Sequence, residues 1–463
     1  MSPRKEKDTM GEVELPREAL YGAQTARAVE NFPVSGSGIG REMIRALGLV
    51  KKAAAQVNRD LGKLDARLAG AIERSAGEVA EGDLDEHFPV DVFQSGSGTS
   101  SNMNANEVIA NRAIQILGGE IGSKSPVHPN DHVNLGQSSN DVFPTAIHVA
   151  ALAGLEGRLL PALKRLREAL AGNSEEFDDI VKVGRTHLQD AVPIRLGQEF
   201  SGFASQIEHG IDHLEAAAED LRELPIGGTA VGTGINTHPE FGRRMAEKLS
   251  EISGTALAEA SNHFEAQSSR DAAVRVSGAL KSLAVSLIKI ANDIRWLASG
   301  PRFGLGELKL PAVQPGSSAM PGKVNPVIAE SMIQAAVQVI GNDAAISAAG
   351  LYGNFQLNAM QPLIARNLLE QIGLLANSTA IFTDKLVSGI EPALERLAAN
   401  AGMSLSLATA LIPCIGYERA AEIAKRAEAE GRSVGEIARE EKLLPDEELD
   451  RLLDPRRLTE HQE

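Results

Sequence analysis

From Pro193 onward, apolar residues return in steps of three and four: Leu196, Phe200, Phe203, Ile207, Ile211, Leu214, Ala218 and Leu221. That spacing keeps one face of an α-helix apolar for about seven turns, with Pro193 suited to its first turn and Gly227-Gly228 closing the run. A second stripe runs Leu280, Leu283, Ala284, Leu287, Ala291, Ile294 and Leu297 before Gly300-Pro301. Two further stretches, 328–349 and 362–386, are rich in Ala and Leu and carry few breakers. Helices this long and apolar need more than one neighbour to cover them, so the pattern predicts a multi-helix bundle extended by contacts between copies of the chain. No repeat of fixed period and no low-complexity tract appears. Near residue 395 the composition shifts to a charged tail containing GRSVGEIAREEKLLPDEELDRLLDP, which predicts a small separate helical domain.

Composition narrows the class. The 463 residues suit two to four domains, and only 3% are aromatic, a low value for a strand-rich protein. A net charge of −16 argues against nucleic acid or an anionic membrane as partner. A small dianion could bind only where local cations and amides override that field. The single cysteine, Cys414, precludes an internal disulfide and suits a reducing compartment. The N-terminus lacks an apolar signal region and no run of about eighteen apolar residues occurs, so a soluble, cytoplasmic protein is expected.

Between the helical stretches lie four polar loops. Residues 316–326 read GSSAMPGKVNP, where Pro and Gly exclude helix and strand and leave backbone amides exposed beside Lys323, the makings of an anion receptor. Residues 94–106, QSGSGTSSNMNAN, suit either a helix cap or a set of hydroxyls and amides (Ser97, Thr99, Asn102) for a carboxylate; no GxGxxG is present for a dinucleotide. In 127–141, VHPNDHVNLGQSSND, His128 and His132 have the four-residue spacing of metal ligands. Pro129 separates them and neither an HExxH glutamate nor a nearby Cys completes a set, so no metal is expected. Gly122-Ser123-Lys124-Ser125 lacks the order of a P-loop. In 184–190, GRTHLQD, His187 occupies a short polar loop before the Pro193 helix, with Glu330 as a candidate carboxylate partner.

The loop GSSAMPGKVNP closely resembles the GSSxMPxKxN signature of the fumarase/aspartase superfamily, and the resemblance runs from about Asp8 to about Pro455. Within it, GRTHLQD has His187 where aspartases typically have Gln, and QSSND stands where they usually show QSTND. With GTAVGTGINTHPEF (228–241) and GNFQLN (353–358), these features are similar to class II fumarases. The resemblance implies an all-α, three-domain fold with segments 1–137, 138–394 and 395–463. The middle segment would be a long-helix bundle joining four chains into a homotetramer with a core of roughly twenty helices. Each site would draw its loops from three chains.

The activity implied is reversible hydration of fumarate to L-malate through an aci-carboxylate carbanion, without metal or organic cofactor. Ser317 would be the carbon base, and Lys323 would stabilise the developing charge with Asn325 and the loop amides. His187, polarised by Glu330, would handle the water. Ser97, Thr99, Ser138, Ser139, Asn140, Thr186 and Ser318 would grip the dicarboxylate. His128, Asn130 and Asp131 would form a second anion site, although Ser125-Pro126 replaces residues that are basic in many relatives. Gln361 likewise replaces a commonly basic residue. The rivals are an aspartate ammonia-lyase of the same superfamily and a non-catalytic structural relative.

Overall fold

In a computed structural model, which describes residues 3–461, the apolar stripes fall where their spacing put them. The helices Leu196–Ala218, Asp271–Leu297, Val327–Gly350 and Gln361–Lys385 are the long elements. Every residue named in the two stripes is buried. Among the described residues the remaining regular elements are helices apart from five two-stranded ribbons, an all-α protein as expected. Both ends of the first stripe differ: Leu221 lies in a 3-10 turn, Glu219–Arg222, after the helix has ended at Ala218. Pro193 belongs to a strand, Gln189–Arg195, and the helix starts at Leu196. Its ring is tolerated there because a two-stranded ribbon has only edge strands.

The chain divides into two compact units whose boundaries fall within the helix Leu160–Glu176 and the four long helices. The first comprises 1–161, 212–284 and 337–376. In it the helices Arg41–Asp60 and Ala66–Glu81 pack closely because Gly48 has no side chain. A Cβ there would lie 2.8 Å from Ala80 N. Asp65 caps the second of these helices through Arg67 N and Leu68 N, and Gly82, at φ 99°, ends it. The helix Thr99–Ile116 carries Glu107, which accepts from Gly22 N, Gln24 N, Thr25 N and Thr25 Oγ1 and so caps the helix Ala23–Asn31 from a distance. The helix Ser139–Gly154 is buried almost all round and starts at a capping box formed by Ser138 and Asp141.

The second unit comprises 162–211, 285–336 and 377–463. Phe177, Phe200 and Phe203 pack edge to face with centroids 5.4 Å apart in each successive pair. Toward the C-terminus, Leu411, Ile423, Ala427, Val434, Ile437 and Leu449 form a local core beneath the charged surface of the tail. The stretch Ser139–Glu176 contains an 18-residue segment apolar enough for a membrane span, but 67% of that segment is buried inside the chain, as in a core helix.

Candidate active site

Four of the predicted substrate-binding residues line one cavity of about 420 Å³ in the first unit: Thr99, Ser138, Ser139 and Asn140. Thr99 opens its helix behind Gly98, a position at φ +73° where a Cβ would strike the Phe143 ring at 2.3 Å. Gly98 offers no cap, and Ser97 Oγ bonds Thr99 Oγ1 at 2.7 Å instead of serving the backbone. Ser138 Oγ accepts from Asn140 N, while Asn140 Nδ2 donates to Ala230 O at 2.8 Å. Asn102, which the sequence offered either as part of a helix cap or as a ligand, is buried behind this shell. Its Nδ2 donates to Ser139 Oγ at 2.9 Å and to Asn134 Oδ1 at 3.2 Å.

Three residues that sequence reasoning missed hold the shell in place. Asn134 and Gln137 line the same cavity, and the carboxylate of Asp141 gathers three backbone donors, Ser138 N, Gly227 N and Thr229 N. Burial pushes the Asp141 carboxyl up to about 6 against the pull of those donors. Thr229 stands at φ +55°, a strained position for a β-branched residue, fixed by Asp141 on its N–H and by Gln267 on its carbonyl. The serine-to-aspartate spacing of a capping box, Ser138 to Asp141, was the available signal.

In the second unit, Thr186 and His187 are carried by a β-hairpin, not by the plain loop expected from the sequence. The strands Val181–Thr186 and Gln189–Arg195 pair with Thr186 opposite Gln189, so His187 and Leu188 form a two-residue turn. Their φ values are +57° and +59°, the backbone of a tight turn that usually selects Asn-Gly. His187 is therefore exposed at a strained tip. It lines a cavity of about 570 Å³ with Lys182, Arg185, Glu199, Trp296 and Phe303. The hairpin is anchored on Glu307, which is fully buried. Arg185 Nη2 lies 2.5 Å from its Oε1, and Lys182 Nζ lies 3.6 Å from Oε2. Burial would raise the Glu307 carboxyl, but the Arg185 hydrogen bonds and the charge of Lys182 together hold it below its ordinary range.

The loop 316–326 is closed at its base and open at its tip. Gly316 N donates to Lys323 O at 2.7 Å, and Asn325 Nδ2 donates to Gly316 O at 2.7 Å. Gly is required at 316, because a Cβ would lie 2.6 Å from Lys323 O and 2.7 Å from Asn325 N. Ser317 Oγ accepts from Ala319 N at 3.2 Å and from Met320 N at 3.1 Å. Ser318 and Lys323 are exposed, and Glu330 lies in the first turn of the helix that leaves the loop. Among the described residues no hydrogen bond or ion pair joins His187 to Glu330, or the hairpin tip to this loop, within one chain.

At the remaining predicted site, His128 Nδ1 accepts from Asn130 N and Asp131 N, and His132 Nδ1 accepts from His128 N at 2.9 Å. These groups satisfy one another in a local cap. Lys124 Nζ donates to Lys7 O, so it is engaged away from His128. Gln361 is buried and donates to Asn358 O, a structural use for the residue that stands in a commonly basic place.

A lyase family model matches residues 11–341, and a fumarase C C-terminal model matches 407–460. A class II fumarate hydratase of Nitrosomonas europaea is 53% identical over 457 residues, covering 99% of both chains. One from Corynebacterium efficiens is 55% identical over 97% of this chain and 95% of its own. The crystal structure of a class II fumarase from Schistosoma mansoni superposes with a TM-score of 0.96 at 38% identity, covering 99% of each chain. The chain belongs to the lyase family and, within it, to the class II fumarate hydratases.

Proposed function

We propose that this chain hydrates fumarate to L-malate and runs the reverse dehydration, with Ser317 as the carbon base. The hydroxyl of Ser317 facing two backbone N–H groups carries this reading in a chain of this family. A serine is too weak a base unless its alkoxide is stabilised, and two amide donors with a lysine in the same loop supply that. In the dehydration direction the alkoxide takes a proton from C3 of malate. The electron pair spreads into the adjacent carboxylate as an aci-form, and Lys323, Asn325 and the loop amides balance the added charge. His187, with Glu330 as its carboxylate, protonates the departing C2 hydroxyl, which leaves as water. Thr99, Ser138, Ser139 and Asn140, with Ser97, Thr186 and Ser318, hold the two carboxylates. The anti course of the addition belongs to the same reading. We place His128, Asn130 and Asp131 outside the reacting centre.

These groups become one site, on this reading, when copies of the chain assemble into a homotetramer, with the segment 138–394 forming the shared bundle. The large apolar residues left exposed on its long helices, Val285, Trp296, Val337 and Ile381, support that assembly. A cytoplasmic location fits the single cysteine, Cys414.

The test offers purified protein L-malate, L-aspartate and argininosuccinate separately, in the presence of a chelator. Fumarate should form from L-malate alone. Ammonia from L-aspartate would favour the ammonia-lyase alternative, and inactivity on all three would favour a structural relative.

A further inference from the structure

Behind the cavity that Thr99 and Ser138–Asn140 line, Lys51 is completely buried. Its Nζ donates to Asn134 Oδ1 and Gln137 Oε1, each at 2.9 Å, and both amides belong to the cavity wall. Asn134 Oδ1 also accepts from Asn102 and Asn106, and Asn102 passes on to Ser139 Oγ. The ammonium is thus linked to a cradle hydroxyl through two asparagines.

What surrounds Lys51 makes its charge conspicuous. Among the described residues no carboxylate lies within ion-pair distance of Nζ. The charge that acts on it is Asp141, from the helix Ser139–Gly154, and that carboxylate is occupied by three backbone N–H groups. The helix Thr99–Ile116 presents neutral Asn102 and Asn106, its Glu107 being spent on residues 22–25. In the turn 129–133, His132 is bonded to His128 N. The helices Ala66–Glu81 and Phe241–Ser253 also pack on the helix of Lys51, and their buried residues are uncharged. A buried ammonium held only by amide oxygens is costly, and a bound carboxylate would supply the missing countercharge.

We infer that Lys51 is a positioning residue for the dicarboxylate: it fixes Asn134 and Gln137 and gives the cradle a buried positive charge that the bound anion neutralises. This rests on the dicarboxylate reading above. Burial pushes the Lys51 ammonium down to about 7. An arriving anion favours the charged form, so binding draws a proton onto Lys51. The uptake is largest above neutrality and fades below about pH 6, where the group is already protonated.

Succinate, which has neither a double bond to hydrate nor a hydroxyl to lose, is the probe. Mixed with wild-type protein in weakly buffered indicator solution at about pH 8, it should take up on the order of half a proton or more per chain. Lys51→Met and Lys51→Gln should abolish the uptake and weaken succinate binding by about tenfold. The Gln variant can still donate to the amide oxygens, so it separates charge from support: its melting temperature should stay near wild type while its affinity falls. Binding by the wild type without uptake, or Lys51→Gln keeping both uptake and affinity, overturns the inference. A wild type that neither binds succinate nor converts L-malate would instead remove the dicarboxylate reading, and the role of Lys51 with it.

Discussion

Arg185 grips Glu307 with both arms of its guanidinium, Nη2 at 2.5 Å from Oε1 and Nη1 at 3.1 Å from Oε2. Arg185 lies two residues before His187, and Glu307 is fully buried, so the pair ties the hairpin tip to the interior of its unit. Glu307→Gln leaves Lys182 and Arg185 facing each other without their shared carboxylate. Breaking a buried pair of this kind should cost about 3–5 kcal/mol. Because the Glu307 carboxyl is held below its ordinary range, the stabilisation is present at neutral pH and is lost as pH falls through that depressed value. Melting temperatures of wild type and variant should differ widely at pH 7 and converge only as pH falls below the ordinary carboxyl range.

Ser317→Ala removes the proposed carbon base without disturbing the loop's closure, which runs through Gly316, Lys323 and Asn325. Turnover of L-malate should fall by at least about a hundredfold while the melting curve stays in place, and Lys323→Ala should act similarly through lost charge stabilisation. Near wild-type turnover in Ser317→Ala would show the base to be elsewhere.

His128→Asn should be mild. The ring nitrogen Nδ1 serves a local cap, accepting from Asn130 N and Asp131 N, and the Asn side-chain oxygen can accept from the same two donors, so stability should stay within about 1 kcal/mol and kcat within a few-fold of wild type. Steady-state kinetics check this, and an inactive variant would put His128 inside the reacting centre.

The long helices were legible because Leu196 to Leu221 and Leu280 to Leu297 repeat with helical spacing, and burial follows that spacing residue by residue. The hairpin was not. Its turn, His187-Leu188, adopts positive φ without the Asn-Gly pair that signals it. The polar loops were legible through a signature, whereas the buried groups behind them were not. Lys51 sits on the buried face of its helix with Leu47, Val50 and Ala54, and a cation on an apolar stripe was the clue. A single lysine in sequence normally reads as solvated. Glu307 lies far along the chain from Lys182 and Arg185, and only folding brings the three together.

The central claim is that residues from different copies of the chain make one working site, and mixing two dead proteins tests it most directly. His187→Asn and Ser317→Ala are each inactive on this account. Unfolded and refolded together in equal amounts, they should form sites in which the histidine comes from one variant and the serine from the other. Random assembly of a tetramer gives roughly a quarter of sites with both groups intact. Fumarate production from L-malate should therefore reappear at about that fraction of wild-type activity, while either variant refolded alone stays inactive. If mixed tetramers are shown to form and the mixture remains as inactive as its parts, the histidine and the serine act within one chain, contradicting the shared site.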